Sequence, residues 1–171
     1  MVVKVGVIGT GAMGRAHIDR LTNVLTGAEV IAVTDIDQEA AQAAVRDFKL
    51  NAKVYPDDTS LLKDPDIDAV FVVSFGGAHE ATILKALDTD KFIFTEKPLA
   101  TTLEGAKRIV DKEIGKPRKV IQVGFMRRYD EGIHALKTKL DSGIIGTPLV
   151  VRASHITVSY THLRAHETRH D

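Results

Sequence analysis

The chain has 171 residues, 44% of them hydrophobic, and carries 23 Lys plus Arg against 23 Asp plus Glu. A formal net charge of zero implies no broad basic surface, which argues against nucleic acid or anionic lipid as the main partner. The lack of cysteine excludes a disulfide scaffold, a thiolate metal site and a cysteine nucleophile.

Val2 to Ile8 is a β-branched run that reads as a strand. The same start is too short and interrupted for a secretory leader, and no later run approaches ~20 apolar residues. The expectation is a soluble, cytoplasmic chain. Ile18, Leu21 and Leu25 follow at helical spacing, and Glu29 to Thr34 is the next strand. Asp37 is placed to cap an Ala-rich helix through Phe48. Ala52 to Tyr55 is a weaker strand, and Ala69 to Val73, Phe92 to Thr95 and Val120 to Val123 complete the set. Several of these lack alternation, as strands covered on both faces do. Thr101-x-x-Glu104 has capping-box spacing, ahead of a stripe at Leu103, Ala106 and Val110. Strand alternating with helix predicts parallel strands joined by right-handed crossovers, a doubly wound α/β sheet.

From about Gly124 the rhythm changes. A helix is predicted over Tyr129 to Leu140 with Ile133, Leu136 and Leu140 on one face, then turns at Gly143 and Gly146-Thr147-Pro148, then a strand over Leu149 to Ile156. Tyr160 to Asp171 holds too little apolar material to bury, so disorder is its default state. His162, His166 and His170 would share one face of a helix and offer nitrogen ligands to zinc or nickel. Without a supporting core, no metal site is expected there.

Gly9-Thr10-Gly11-Ala12-Met13-Gly14 fits G-x-G-x-x-G, directly after an apolar strand and opening a helix. Gly9 permits a tight turn, Gly11 lets a pyrophosphate approach the backbone, and Gly14 lets helix pack on strand. The helix N-terminus offers unpaired N–H groups to the phosphates. Asp35 ends the second strand 21 positions past Gly14, near the ~20-residue spacing of the group that binds ribose hydroxyls. A carboxylate there repels a 2′-phosphate, and neither Ile36 nor Asp37 supplies a compensating cation, so the expectation is NAD over NADP. The cofactor set is therefore Gly9 to Gly14 with Thr10, Ala12 and Met13, then Asp35 and Ile36.

After the fifth strand comes Glu96-Lys97-Pro98, at the end of the sheet that borders ligands in open α/β folds. Lys97 reads either as a surface lysine in a turn or as a group facing the dinucleotide and hydrogen-bonding a substrate hydroxyl. A cis Lys97–Pro98 bond is expected as one way to shape the turn.

Taken together, Gly9 to Gly14, Asp35, Glu96-Lys97-Pro98 and Gly124-Phe125-Met126-Arg127-Arg128-Tyr129-Asp130 resemble the Gfo/Idh/MocA family of sugar and polyol dehydrogenases. The likeness covers roughly Met1 to His155, and the last run is more specific to the inositol-oxidising branch. It implies a Rossmann NAD-binding domain over 1–124 and, over 125–156, the first helix and strand of a truncated second α+β domain. Residues 157–171 match nothing in the family and read as a non-native or disordered tail of a truncated or frame-shifted chain.

The resemblance implies NAD-dependent oxidation of a ring secondary alcohol, myo-inositol to its 2-keto product. Lys97 is then the catalytic, hydroxyl-contacting residue. Arg127 contacts the polyol or the nicotinamide side, and His155 the polyol. Ser74, Phe75 and His79 edge the cofactor crevice together with Glu96, and Gln122 lies near the nicotinamide. His79 fits a helix-start or packing role equally well, and Arg128 an ion pair. The family's general base is the histidine of an Asp-x-x-x-His motif on the second domain's sheet, which this chain is expected to lack. A homo-oligomer is implied for the full-length protein. A relative acting on another sugar or polyol, and a non-catalytic NAD-binding module, are the alternative readings.

Overall fold

The computed structural model describes residues 2–152 and Ser154. They divide into one unit through Met126 and a second from Arg127 onward. His155 and the three tail histidines lie outside the described residues.

The first unit is built on a parallel sheet. Strands β1 (Val3–Ile8), β2 (Ala28–Thr34), β3 (Lys53–Val54), β4 (Ala69–Val72), β5 (Phe92–Thr95) and β6 (Ile121–Val123) lie in the order β3-β2-β1-β4-β5-β6. Every neighbouring pair is parallel. The crossovers carry α1 (Ala12–Asp19), α2 (Gln38–Asp47), α3 (Asp58–Leu62), α4 (Gly76–Ala86) and α5 (Leu103–Ile114).

Each face of the sheet has its own core. Ile18 of α1 and Ala41 and Ala44 of α2 pack with Val5, Val7 and Val33. On the other face, Leu61, Ile83 and Ile109 from α3, α4 and α5 meet Ile8, Val70, Val72 and Ile93. Burial on both sides is why these strands read as unbroken apolar runs. Fully burying one such isoleucine or leucine contributes about 1.5–3 kcal/mol over leaving it exposed.

Asp37 caps α2 as expected, its carboxylate accepting from the Glu39 and Ala40 N–H groups. The stripe of α1 is shorter than its spacing predicts. After Asp19 the helix widens into a π-helical turn, Arg20–Val24; Leu21 stays buried, but Leu25 falls past the end in extended backbone and is exposed. The capping box before α5 also needs correction. Thr102, not Thr101, is the cap, accepting from the Gly105 N–H at 3.0 Å, so Glu104 falls one position short of the box. The buried face of α5 is accordingly Gly105 and Ile109, while Leu103 is 80% exposed. A Cβ on Gly105 would meet the Glu80 carboxylate of α4, and this close approach sets which face turns inward.

A 3-10 turn, Met126–Tyr129, precedes α6 (Glu131–Asp141), whose N-cap is Asp130. Backbone hydrogen bonding, led by the Ile133 N–H, and the Arg127 guanidinium hold the Asp130 carboxyl below the usual carboxylate range. The strand expected over Leu149 to Ile156 is absent among the described residues: 149–152 and 154 are irregular, and Leu149, Val150 and Val151 are exposed. A strand holds only when neighbours take up its N–H and C=O groups, and no described segment does so. Among the described residues, no helix is long and apolar enough to cross a membrane.

Candidate functional site

Strand order reverses at β1, which has β2 on one side and β4 on the other, so the crossovers diverge and leave a crevice at the carboxyl ends. A cavity of about 720 Å³ opens there. Gly9, Gly11, Ala12 and Met13 form one wall, and Thr34, Asp35 and Ile36 the next. Pro56, Asp57 and Asp58 add a third, and Ser74, Phe75, Ala78 and Thr82 close the far side.

Three glycines shape this cradle differently. Gly9 has φ of 102°, in the left-handed region that side chains disfavour, and a Cβ there would lie 2.5 Å from the Ser74 nitrogen. A Cβ on Gly14 would strike the Gly9 carbonyl oxygen, so α1 starts hard against the loop. Among the described residues, nothing lies within 4 Å of the missing Cβ of Gly11. Gly11 is also the N-cap of α1 and provides no side-chain acceptor, which leaves the first-turn N–H groups available to an anion.

Asp35 is held rigidly. Its Oδ2 accepts from the Thr10 N–H at 2.5 Å and from Thr10 Oγ1 at 3.0 Å, and its Oδ1 from the Asp37 N–H at 3.0 Å. A carboxylate has about four acceptor sites, so a lone pair stays available beside the cavity. Thr10 itself is buried and does not line the cavity; its N–H and hydroxyl orient Asp35. Ile36 is 97% exposed on the rim. Asp57 and Asp58 add further negative charge. A backbone N–H from Ser60 holds Asp57 below the ordinary carboxylate range. Burial pushes Asp58 up, but the hydrogen bonds from Lys85 and Thr82, at 2.8 and 3.0 Å, outweigh it and set it low.

These residues suit an adenine dinucleotide. Open space at Gly11 admits phosphate, the pinned carboxylate suits ribose hydroxyls, and Ser74 Oγ is buried beside the cavity without a hydrogen-bond partner among the described residues.

Beyond β5, the Lys97–Pro98 bond is cis and the Lys97 side chain is exposed. Glu96 Oε2 accepts from the Lys97 N–H at 3.1 Å, and Oε1 lies 3.0 Å from His17 Nε2. His79 is 1% exposed, with Nδ1 2.7 Å from the Pro98 carbonyl oxygen and Nε2 2.9 Å from that of Ser74. In the second unit, Arg127 pairs with Asp130 at 2.6 Å, and the His134 ring bonds the Arg128 carbonyl.

Residues 3–125 match the family described as GFO_IDH_MocA, oxidoreductase family, NAD-binding Rossmann fold. The chain belongs to the Gfo/Idh/MocA family. It is 90% identical over 156 residues to an inositol 2-dehydrogenase/D-chiro-inositol 3-dehydrogenase of Lacticaseibacillus casei, covering 91% of this chain and 45% of that protein. A relative of the same name from Halalkalibacterium halodurans is 51% identical over 155 residues, covering 91% of this chain and 44% of its own length. The crystal structure of myo-inositol dehydrogenase from Lactobacillus casei in complex with NAD(H) and myo-inositol superposes with a TM-score of 0.90. Its sequence identity is 90%, over 92% of this chain and 46% of that one. The chain thus spans about half the length of the curated relatives it matches.

Within this Gfo/Idh/MocA chain, the cavity brings together Gly9, Gly11, Ala12, Met13, Asp35, Ile36, Ser74 and Phe75 from the expected cofactor set. Glu96, Lys97 and Gln122 are not among its lining residues, nor are Gly14 and His79. The expectation that His79 edges the crevice is corrected: it is buried and outside the cavity lining, its ring lodged between the Pro98 and Ser74 carbonyl oxygens, so it fastens two loops from inside. Arg127 makes the ion pair that was expected of Arg128. The expectation that Asp-x-x-x-His is lacking also needs correction, because Asp130-Glu131-Gly132-Ile133-His134 has that spacing. There the aspartate caps α6 and the histidine bonds a carbonyl, a local capping arrangement. Sequence reasoning missed Asp57, Asp58, Thr82 and His17. The two aspartates follow the weakest strand, and His17 and Glu96 stand 79 positions apart, so no short-range pattern links them.

Proposed function

We propose that this chain carries the coenzyme site and the reacting lysine of an NAD-dependent dehydrogenase that oxidises a ring secondary alcohol of a polyol, myo-inositol, to the ketone. The observation that carries the reading is Asp35, pinned by Thr10 beside an open glycine loop. Bound NAD supplies the acceptor for the hydride leaving the carbinol carbon. The N-terminus of α1 holds the phosphates, and Asp35 accepts from the adenosine ribose hydroxyls. With Asp57 on the neighbouring wall, and Asp58 already paired with Lys85, a 2′-phosphate meets the like charge of Asp35 and Asp57 with no cation among the lining residues, which favours NAD over NADP. Ser74 Oγ finds its missing partner on the coenzyme. Lys97 hydrogen-bonds the substrate hydroxyl and shares in moving its proton. Arg127, whose fixed fork suits vicinal oxygens, and His155 are assigned to the polyol. The names of the relatives support the choice of substrate; a homo-oligomeric, cytoplasmic enzyme completes the reading.

Calorimetric titration tests the coenzyme half: NAD binds, NADP binds at least about tenfold weaker, a gap of ~1.4 kcal/mol, and Asp35→Ala narrows the gap. Equal affinity for the two in the unmutated chain overturns the ribose argument. In a full-length form carrying these residues, NAD and myo-inositol yield NADH, and Lys97→Ala abolishes it. Oxidation of neither polyol nor sugar overturns the enzymatic reading.

A further inference from the structure

We propose that His17 is a positioning residue for Lys97, acting through Glu96; the proposal rests on the reading of Lys97 as the reacting group. His17 projects from α1, the helix that opens on the glycine loop. Its Nε2 lies 3.0 Å from Glu96 Oε1. A carboxylate only accepts, so Nε2 carries the hydrogen. The second carboxylate oxygen takes the backbone N–H of Lys97 at 3.1 Å. One carboxylate therefore joins the phosphate-binding helix to the backbone of the reacting lysine.

The joint is built to hold its geometry. The His17 ring stands edge-on to Phe71 and Phe94, with centroids 5.6 and 5.0 Å away, and those two rings stack at 4.6 Å. Both members of the pair are only 14% exposed, so solvent competes weakly for the hydrogen bond. Behind Glu96 sits Gly124, whose Cβ would lie 3.4 Å from Oε1 and 3.0 Å from Phe94 Cζ. A side chain there would crowd the carboxylate.

Simple anchoring of α1 does not account for this pair. Ile18, the next residue, is fully buried and supplies apolar anchorage. Burying an imidazole against a carboxylate costs desolvation that an aliphatic side chain would avoid. What the pair adds is direction: it fixes where Glu96 points, and so where the Lys97 amide is held.

Amide hydrogen exchange at Lys97 reads the joint directly, with the Val73 N–H, bonded to the Ile8 carbonyl at 2.9 Å, as a reference for the sheet. In the ligand-free chain, His17→Leu raises exchange at Lys97 by about tenfold or more while Val73 changes by less than about threefold. His17→Gln, whose amide nitrogen reaches about as far as Nε2, restores the parent rate. His17→Asn, whose shorter amide cannot reach Glu96, produces the same rise as leucine, so a leucine variant that fails to fold does not end the test. An unchanged Lys97 rate in both His17→Leu and His17→Asn, or a glutamine variant no better than leucine, overturns the proposal. Absence of heat with NAD in the parent chain instead defeats the coenzyme reading, and the exchange comparison still decides the role of His17.

Discussion

Gly11 and Gly14 belong to one motif but answer to different constraints. No described residue crowds the missing Cβ of Gly11, whereas that of Gly14 would collide with backbone. Gly11→Ala is therefore expected to leave the melting temperature of the ligand-free chain unchanged while weakening NAD at least about tenfold, because the methyl fills space needed by phosphate. Gly14→Ala is expected to destabilise the chain itself by about 1–3 kcal/mol, the usual range for overpacking. Thermal melts with and without NAD separate the two. At this scale the sequence was most legible where partners are local. The glycine loop and Asp35 were readable because a strand, a turn and a fixed spacing announce them. Thr10, assigned to the coenzyme loop, also orients Asp35, through hydrogen bonds that spacing does not reveal.

Among the elements, α5 shows how one position of offset changes a helix. Thr102 accepts from Gly105, so Thr102→Ala is expected to cost about 1 kcal/mol, as lost N-caps do. Thr101→Ala is expected to stay within about 0.5 kcal/mol, and denaturant unfolding of the two variants checks the assignment. Only Thr101 fits the capping-box pattern, and the packing of Gly105 against α4 overrides it. The helix α4 escaped notice for a related reason: its buried face includes His79 and Thr82 beside Ile83 and Ala86, so polar residues mask its period. By contrast, the central strands were legible because burial on both faces leaves an unbroken apolar signature. The expected strand at Leu149 had that signature as well, yet its described residues, 149–152 and 154, are irregular and pair with no described neighbour.

Over the whole molecule, the formal charge balances, yet individual carboxylates still make stability depend on pH. Asp58 titrates below its ordinary value when folded because Lys85 and Thr82 bond it in spite of its burial. Its ionised form thus favours folding: the contribution is complete above about pH 4, the unfolded value, and fades as pH falls through the lower folded value. Asp58→Asn is expected to lower the melting temperature at neutral pH, with the gap from the parent chain closing towards about pH 3. A gap that widens on acidification would contradict the assignment.

The outermost strands are β3 with two residues and β6 with three. A ribbon bordered by such brief margins presents few naked peptide groups to a passing molecule, which is a recognised safeguard against edge-on stacking into fibres. Borders this short leave the first unit little length along which a second sheet could add.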